Sequence, residues 1–259
     1  MKLEEKTLAI VLLDIIGSTK FVQRAGDTKA AMVFQVHDRS VRDLIVRFKG
    51  QEIDRSDGFL IYFETIQDAV NFGLYYQINV PSRTKLHCRV GIHWSPIVLV
   101  HQDARYVQGG AKRLEIEGVG KNIAARTMSL CSSGQVLLTK EAIDEFKKLG
   151  GDNMTPKGTK YCFIGAYKFK GLRQYLGIYA VGVDKDALRT PPDSEKAKRM
   201  GGLNVLGMNA KDVAFYTYLT QFVGWVFIVC FTVLFVALFC MVLDSQLRAF
   251  ILSLIESFF

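Results

Sequence analysis

Residues 8–21, LAIVLLDIIGSTKF, open on an unbroken apolar run of strand type, end it on the carboxylate of Asp14, and pass through Gly17 to Ser18 and Thr19 at the start of a helix. A strand that feeds a helix through a turn glycine leaves the free N–H groups of the first helical turn at the strand end, a natural seat for phosphate. Working outward, residues 50–63, GQEIDRSDGFLIYF, read as strand, tight turn, strand, with Ser56-Asp57-Gly58 at the turn. A second carboxylate, Asp57, therefore tips a hairpin. Two aspartates on neighbouring strand ends can hold two divalent cations about 4 Å apart, activating an attacking oxygen and a leaving phosphate together. Taken alone, a strand-end aspartate more often caps a turn or a helix.

A third cluster lies in residues 113–130, RLEIEGVGKNIAARTMSL, where Asn122 and Arg126 stand four apart and share one helix face. An amide and a guanidinium aimed at one spot suit a ribose and a penta-coordinate phosphate, although such a pair by itself is usually a solvated surface. Around these clusters, residues 33–48, 66–80 and 121–130 have helical periodicity. Residues 8–13, 59–63, 85–93, 136–139 and 177–183 read as strands. Strands alternating and then mixing with helices predict an α+β or α/β sandwich. His93 follows RVGI on a strand and reads as a buried residue satisfied by backbone. Cys88, Cys131 and Cys162 read as core.

The composition supports one main folded domain. The chain has 259 residues, 49% of them hydrophobic and 22% charged, with 5 prolines, which excludes a disordered tract, a collagen-like repeat and a multi-span transporter. Its 5 cysteines form no CxxC pair, so neither a zinc ribbon nor a thioredoxin motif can be built. The net charge of +8 suits nucleic acid, an anionic membrane or a polyphosphate. No basic run interleaved with aromatics favours nucleic acid.

Residues 184–212 mix charges, Pro-Pro and Gly-Gly and read as a linker. The expected organisation is a catalytic domain over 1–184, a linker over 185–212 and a membrane segment over 213–259. Residues 222–243, FVGWVFIVCFTVLFVALFCMVL, carry no charge. As a helix they extend about 33 Å, against a bilayer core of about 30 Å, so one transmembrane helix is expected. Lys196, Lys198, Arg199 and Lys211 precede it and only Arg248 follows, which keeps the catalytic part cytoplasmic at the cell membrane. Tyr216, Tyr218 and Trp225 fit an aromatic belt. Residues 247–259 read as an interfacial amphipathic helix. No signal peptide is apparent in MKLEEKTLAIVLLD.

Taken in order, DIIGST (14–19), GQEIDRSDGFLIYF, RVGIHWSP (89–96), LEIEGVGKNIAARTMSLCSSGQVLLT (114–139) and YKFKGLRQYLGIYAV (167–181) make residues 7–183 resemble the class III nucleotidyl cyclases. The resemblance implies a ferredoxin-like α+β sandwich with a central, mostly antiparallel sheet. It implies Asp14 and Asp57 as ligands of two Mn²⁺ or Mg²⁺ ions, with the backbone carbonyl of Ile15 as a further ligand. Gly17, Ser18 and Thr19 would hold the triphosphate, with Lys170, or its neighbours Lys168 and Arg173, as a further phosphate contact. Asn122 would orient the ribose and Arg126 stabilise the transition state, both from the second subunit of a homodimer.

The resemblance also implies a base-reading pair, and here the purine residues are absent. Ile53 stands where adenylyl members carry Lys and guanylyl members Glu, and Glu115 stands at the partner position. Ser56 replaces the usual glycine before the hairpin aspartate. At strand period two, Arg55 is expected on the face of Ile53 and Asp57, where its donors would suit uracil O4 while Glu115 accepts from N3–H. That combination is similar to the Pycsar uridylate cyclases, which make cyclic UMP in antiphage defence and signal to a separate effector. The expectation is thus a phosphorus–oxygen lyase that converts UTP to 3′,5′-cyclic UMP and diphosphate. The alternatives are an adenylate cyclase making cyclic AMP and a non-catalytic cyclase-like membrane sensor.

Overall fold

A computed structural model of the chain describes residues 2–56, 58–151, 155–172, 175–192, 197–200 and 223–234, and the short stretches 245–247, 249–250, 253–254 and 256–257. Asp57, Arg173, Lys196, Lys211, Tyr216, Tyr218, Arg248 and residues 222 and 235–243 of the expected membrane span lie outside the described residues.

The elements run β1 (Lys2–Ile15), α1 (Ser18–Ala25), α2 (Asp27–Arg47), β2 (Gln51–Arg55), β3 (Gly58–Phe63), α3 (Ile66–Thr84), β4 (Cys88–His101) and α4 (Ala104–Gln108). They continue with β5 (Leu114–Glu117), α5 (Val119–Leu130), β6 (Val136–Thr139), α6 (Lys140–Lys148), β7 (Lys160–Phe169), β8 (Tyr175–Gly182) and β9 (Ala197–Arg199). They form one sheet in the order β2-β3-β1-β4-β6-β8-β7-β9, with β5 paired to β4. Among the described ladders only β4–β6 is parallel. The expected α+β sandwich with a mostly antiparallel sheet is what the chain forms.

The unbroken apolar run of β1 follows from its central place, because both of its faces are buried. Ala9, Val11 and Leu13 pack under α2, α3 and α6, against Val41, Leu44, Phe72, Ile143 and Phe146. Leu8 and Ile10 pack on the opposite face with Ala124 of α5, Ile97 and Leu99. A strand buried on both sides loses the polar alternation that an edge strand would show. Burying each large aliphatic side chain stabilises the fold by roughly 1.5–3 kcal/mol before entropy is counted.

Helix α5, which carries Asn122 and Arg126, lies close on the sheet because Gly91 of β4 has no side chain. A Cβ there would stand 2.2 Å from the backbone N of Met128. Gly91→Ala must push the helix outward, since a backbone atom cannot swing aside as a side chain can. We expect this variant to lose about 3 kcal/mol of stability, read as a melting temperature lower by roughly 6–12 °C. An unchanged thermal unfolding curve would show that α5 is not seated this tightly.

The chain divides into two compact units, Met1–Met200 and Gly201–Phe259. The first reaches past the expected boundary at 184, because the segment taken as linker is partly pinned to the sheet. The buried Gln135 amide donates to the carbonyls of Ala187 (3.2 Å) and Arg189 (2.6 Å). Strand β9 pairs antiparallel with β7, placing Lys198 and Arg199 opposite Lys168 and Tyr167. In the second unit, residues 223–234 are helical and exposed, Trp225, Phe227 and Phe231 among them. Among the described residues no helix is long and apolar enough to cross a membrane.

Candidate active site

Strand β1 delivers Asp14 to the sheet edge facing α5, on the side of Leu12. Its cross-strand neighbours are Gly58 on β3 and Arg89 on β4. Gly58 is required there, since a Cβ would lie 2.2 Å from the Leu13 carbonyl oxygen. The residue before Gly58 in the chain is Asp57, the second expected carboxylate, which lies outside the described residues. The Arg89 guanidinium donates to Oδ2 of Asp14 through Nε (3.1 Å) and Nη2 (2.6 Å), and through Nη1 to the Ser129 carbonyl (3.3 Å). Oδ1 accepts no hydrogen bond from the described residues, and Asp14 borders a cleft of about 280 Å³ lined also by Asp54, Ser56, Leu60, Lys121 and Met128. A half-buried carboxylate at a cleft is a hard-oxygen donor suited to a divalent cation. Asp14 is such a donor, and among the described residues no group of three or more potential ligands gathers beside it.

After Ile15 the chain turns through Gly17, at φ 71°, a left-handed conformation that glycine adopts without strain, and no side chain caps α1. Ser18 and Thr19 lie in the first turn and line, with Ile15, Phe34, Arg55 and Ser56, a second cleft of about 340 Å³. Ser56 borders both clefts, so the hairpin tip separates the expected phosphate residues from the cleft of Asp14.

Two expected base readers are not where period two places them. A β-bulge between Glu52 and Asp54 puts an extra residue, Ile53, into β2, so that Asp54 pairs with Leu60 and Arg55 with Phe59. One inserted residue exchanges faces for everything beyond it. Ile53 packs with Leu60 and Tyr62 on the α5 side, whereas Arg55 sits beneath α2, its Nε donating to Oδ2 of Asp38 at 2.8 Å. Glu115 also faces away. Its neighbours Leu114 and Ile116 pack with Ile53, and it accepts instead from the Gln102 amide at 2.9 Å. Of the polar β2 residues, Asp54 does line the cleft, paired with Lys112 at 2.6 Å. The Lys112 ammonium holds the Asp54 carboxyl below its ordinary value against the opposing effect of partial burial.

Asn122 is exposed and Arg126 half-buried on α5. Neither lines either of these two clefts. Lys170 is exposed in the turn after β7, and Lys168 lies over the Tyr175 ring at 5.1 Å. His93 is buried, with Nδ1 2.8 Å from the Thr139 hydroxyl and not on backbone. Burial drives its pKa down to about 4, partly opposed by Glu141. Cys88 and Cys131 are core residues whose thiols burial pushes up to about 11 and about 12. Cys162 is exposed, contrary to expectation, because the amino-terminal half of β7 has no layer over it.

Sequence reasoning missed Arg89 and Asp54. Arg89 opens the RVGIHWSP block, but its partner is defined only once β1 and β4 are known to pair with Asp14 opposite it.

The fold is shared with solved proteins. The adenylyl cyclase CyaB from P. aeruginosa superposes with a TM-score of 0.62 at 16% identity, over 73% of this chain and 100% of its own. An adenylate cyclase from Trypanosoma brucei, in its monomeric state, aligns at a TM-score of 0.57 and 19% identity, over 75% and 94%. The guanylate cyclase domain of RhGC from Catenaria anguillulae, in complex with GTP, aligns at 0.57 and 14%, over 69% and 97%. The chain has the nucleotidyl cyclase fold. No protein-family model matches the sequence, and no curated protein matches it. Within the cyclase fold, Asp14 and the hairpin tip occupy adjoining strand ends, and α5 packs across β1 and β4 beside them.

Proposed function

We propose that the chain is a nucleotidyl cyclase that converts a nucleoside triphosphate to a 3′,5′-cyclic nucleotide and diphosphate at a site completed by a second copy. The observation that carries this reading is Asp14, which lines the cleft at a strand end and whose cross-strand partner directly follows Asp57 in the chain. In the reaction the ribose 3′-oxygen loses its proton and bonds to the α-phosphorus as the bond to the β-phosphate oxygen breaks. Two Mn²⁺ or Mg²⁺ ions, when bound, lower the pKa of the 3′-hydroxyl and offset charge on the phosphates. Asp14, Asp57 and the Ile15 carbonyl would hold them. The first-turn amides of α1 with Ser18 and Thr19 would seat the triphosphate, with Lys170 as a further phosphate contact. Asn122 of the second copy would orient the ribose, and Arg126 beside it would donate to the α-phosphate oxygens as charge grows on them.

UTP is the substrate this reading favours, because the apolar Ile53 offers no hydrogen bond where a purine edge would be read. With Arg55 and Glu115 turned away, Asp54 lines the cleft and holds Lys112 as its partner, and the pair would match uracil N3–H and O4. The same pair also satisfies adenine, through N1 and N6–H, so ATP is the second reading. Cyclic UMP would act as a messenger to a separate effector in antiphage defence, and residues 222–243 would anchor the catalytic unit at the cell membrane on its cytoplasmic side.

Incubation of the purified protein with each of the four NTPs and Mn²⁺, with products identified by mass, tests this. Cyclic UMP as the dominant product is expected. Cyclic AMP would move the base assignment to the second reading, and no cyclic product from any NTP would remove the cyclase reading.

A further inference from the structure

Arg55, turned away from the base by the bulge, is tied into a chain of polar contacts that begins in the core. On α2, His37 is 1% exposed, its Nε2 2.9 Å from the Tyr76 hydroxyl of α3 and its Nδ1 3.0 Å from Oδ1 of Asp38. Arg55 reaches across from β2. Its Nε donates to Asp38 Oδ2 at 2.8 Å and its Nη2 to Oδ1 at 3.3 Å, and its plane lies over the Phe59 ring at 5.5 Å. The remaining arm, Nη1, donates to the carbonyl of Ser56. Burial pushes the Asp38 carboxyl up, but the hydrogen bonds from His37 and Arg55 outweigh it and hold the carboxyl below its ordinary value. A guanidinium is planar and keeps its donors in a fixed fork, so the Ser56 carbonyl is held at a set place relative to α2. From the cleft side the Ser56 hydroxyl reaches Asp54 at 3.3 Å, and the tip is braced on both faces.

We infer that Arg55 is a positioning residue: a rigid bracket, anchored on Asp38, that fixes the backbone at Ser56, the residue before Asp57 in the chain, and thereby sets metal affinity and not base choice. This rests on the proposed pairing of Asp14 and Asp57 as metal ligands. A tip already held in place loses less conformational freedom when its carboxylate closes on a cation. Groups that orient a ligand in this way typically govern metal affinity by 10–100-fold.

The test is Mn²⁺ binding to the full-length protein, followed by the electron paramagnetic resonance signal of free Mn²⁺, which needs no turnover. Arg55→Met and Asp38→Asn should each weaken Mn²⁺ binding about 10–100-fold, with circular dichroism confirming the fold. Arg55→Lys, which keeps the charge but loses the fork, should weaken it as well. At saturating Mn²⁺ the preference among the four NTPs should be that of the wild type. Asp38→Asn acts from α2 without altering the hairpin, so the inference stays testable should Arg55→Met misfold. Wild-type Mn²⁺ affinity in both Arg55→Met and Asp38→Asn, or a changed base preference in Arg55→Met, would overturn the bracket while leaving the cyclase reading intact. Failure of the wild type itself to bind Mn²⁺ would overturn the metal-pair reading and the bracket with it.

Discussion

Asp14→Asn is expected to lower cyclic nucleotide formation by about a thousandfold or more, equivalent to about 4 kcal/mol of transition-state stabilisation. The amide keeps the shape of the side chain but loses the charge that would hold a divalent cation. Arg89 loses its anionic partner and keeps the Ser129 carbonyl as acceptor. Removing a charged hydrogen-bond partner of this kind costs about 1–2 kcal/mol, a fall in melting temperature of roughly 2–8 °C. The variant therefore stays folded at 25 °C, and its loss of activity reports on chemistry. Turnover within tenfold of wild type would show that Asp14 is only the structural partner of Arg89.

The second large effect is expected at α5. Arg126 pairs with no carboxylate among the described residues, so Arg126→Ala removes no ion pair from the protomer and should leave the melting temperature within about 2 °C. Turnover should nevertheless fall about 10²–10³-fold, with KM changed only a few-fold, as for a donor engaged mainly in the transition state. Mn²⁺ binding should be unaffected, because the carboxylates lie in the other part of the site. A pure rise in KM at constant kcat would make Arg126 a ground-state binding group instead.

Much of the frame was legible because its signals are local. The run at 8–14 announces a strand buried on both faces; the helical stretch 33–48 falls on α2, which ends one residue earlier at Arg47, and 66–80 and 121–130 lie within α3 and α5. The elements left unread are short or broken. Strand β5 has four residues and β9 three. In β7 the register shift between Phe163 and Gly165 interrupts the alternation by which a strand is recognised. Helix α6, KEAIDEFKK, buries only Ala142, Ile143 and Phe146 over nine residues.

The site was legible where it depends on sequence order and not where it depends on faces. Asp14, Ser18 and Thr19 follow from a strand running into a helix. Arg55 was misread because nothing in QEIDRS marks the bulge that turns it under α2, and one inserted residue is enough to exchange base reader for bracket. Arg89 and the Asp54–Lys112 pair were invisible for a related reason. Each is defined by a neighbour distant in sequence, Asp14 for Arg89 and Lys112 for Asp54.

The claim on which the account depends is that two copies share each site, carboxylates from one and the α5 amide and guanidinium from the other. Mixing Asp14→Asn protein with Arg126→Ala protein tests it directly. After random reassociation half the dimers are mixed, and each mixed dimer holds one intact site of two, so activity should return to about a quarter of the wild-type value. Activity no higher than that of either variant alone, in dimers shown to have exchanged, would mean that the four groups act within a single protomer or not at all.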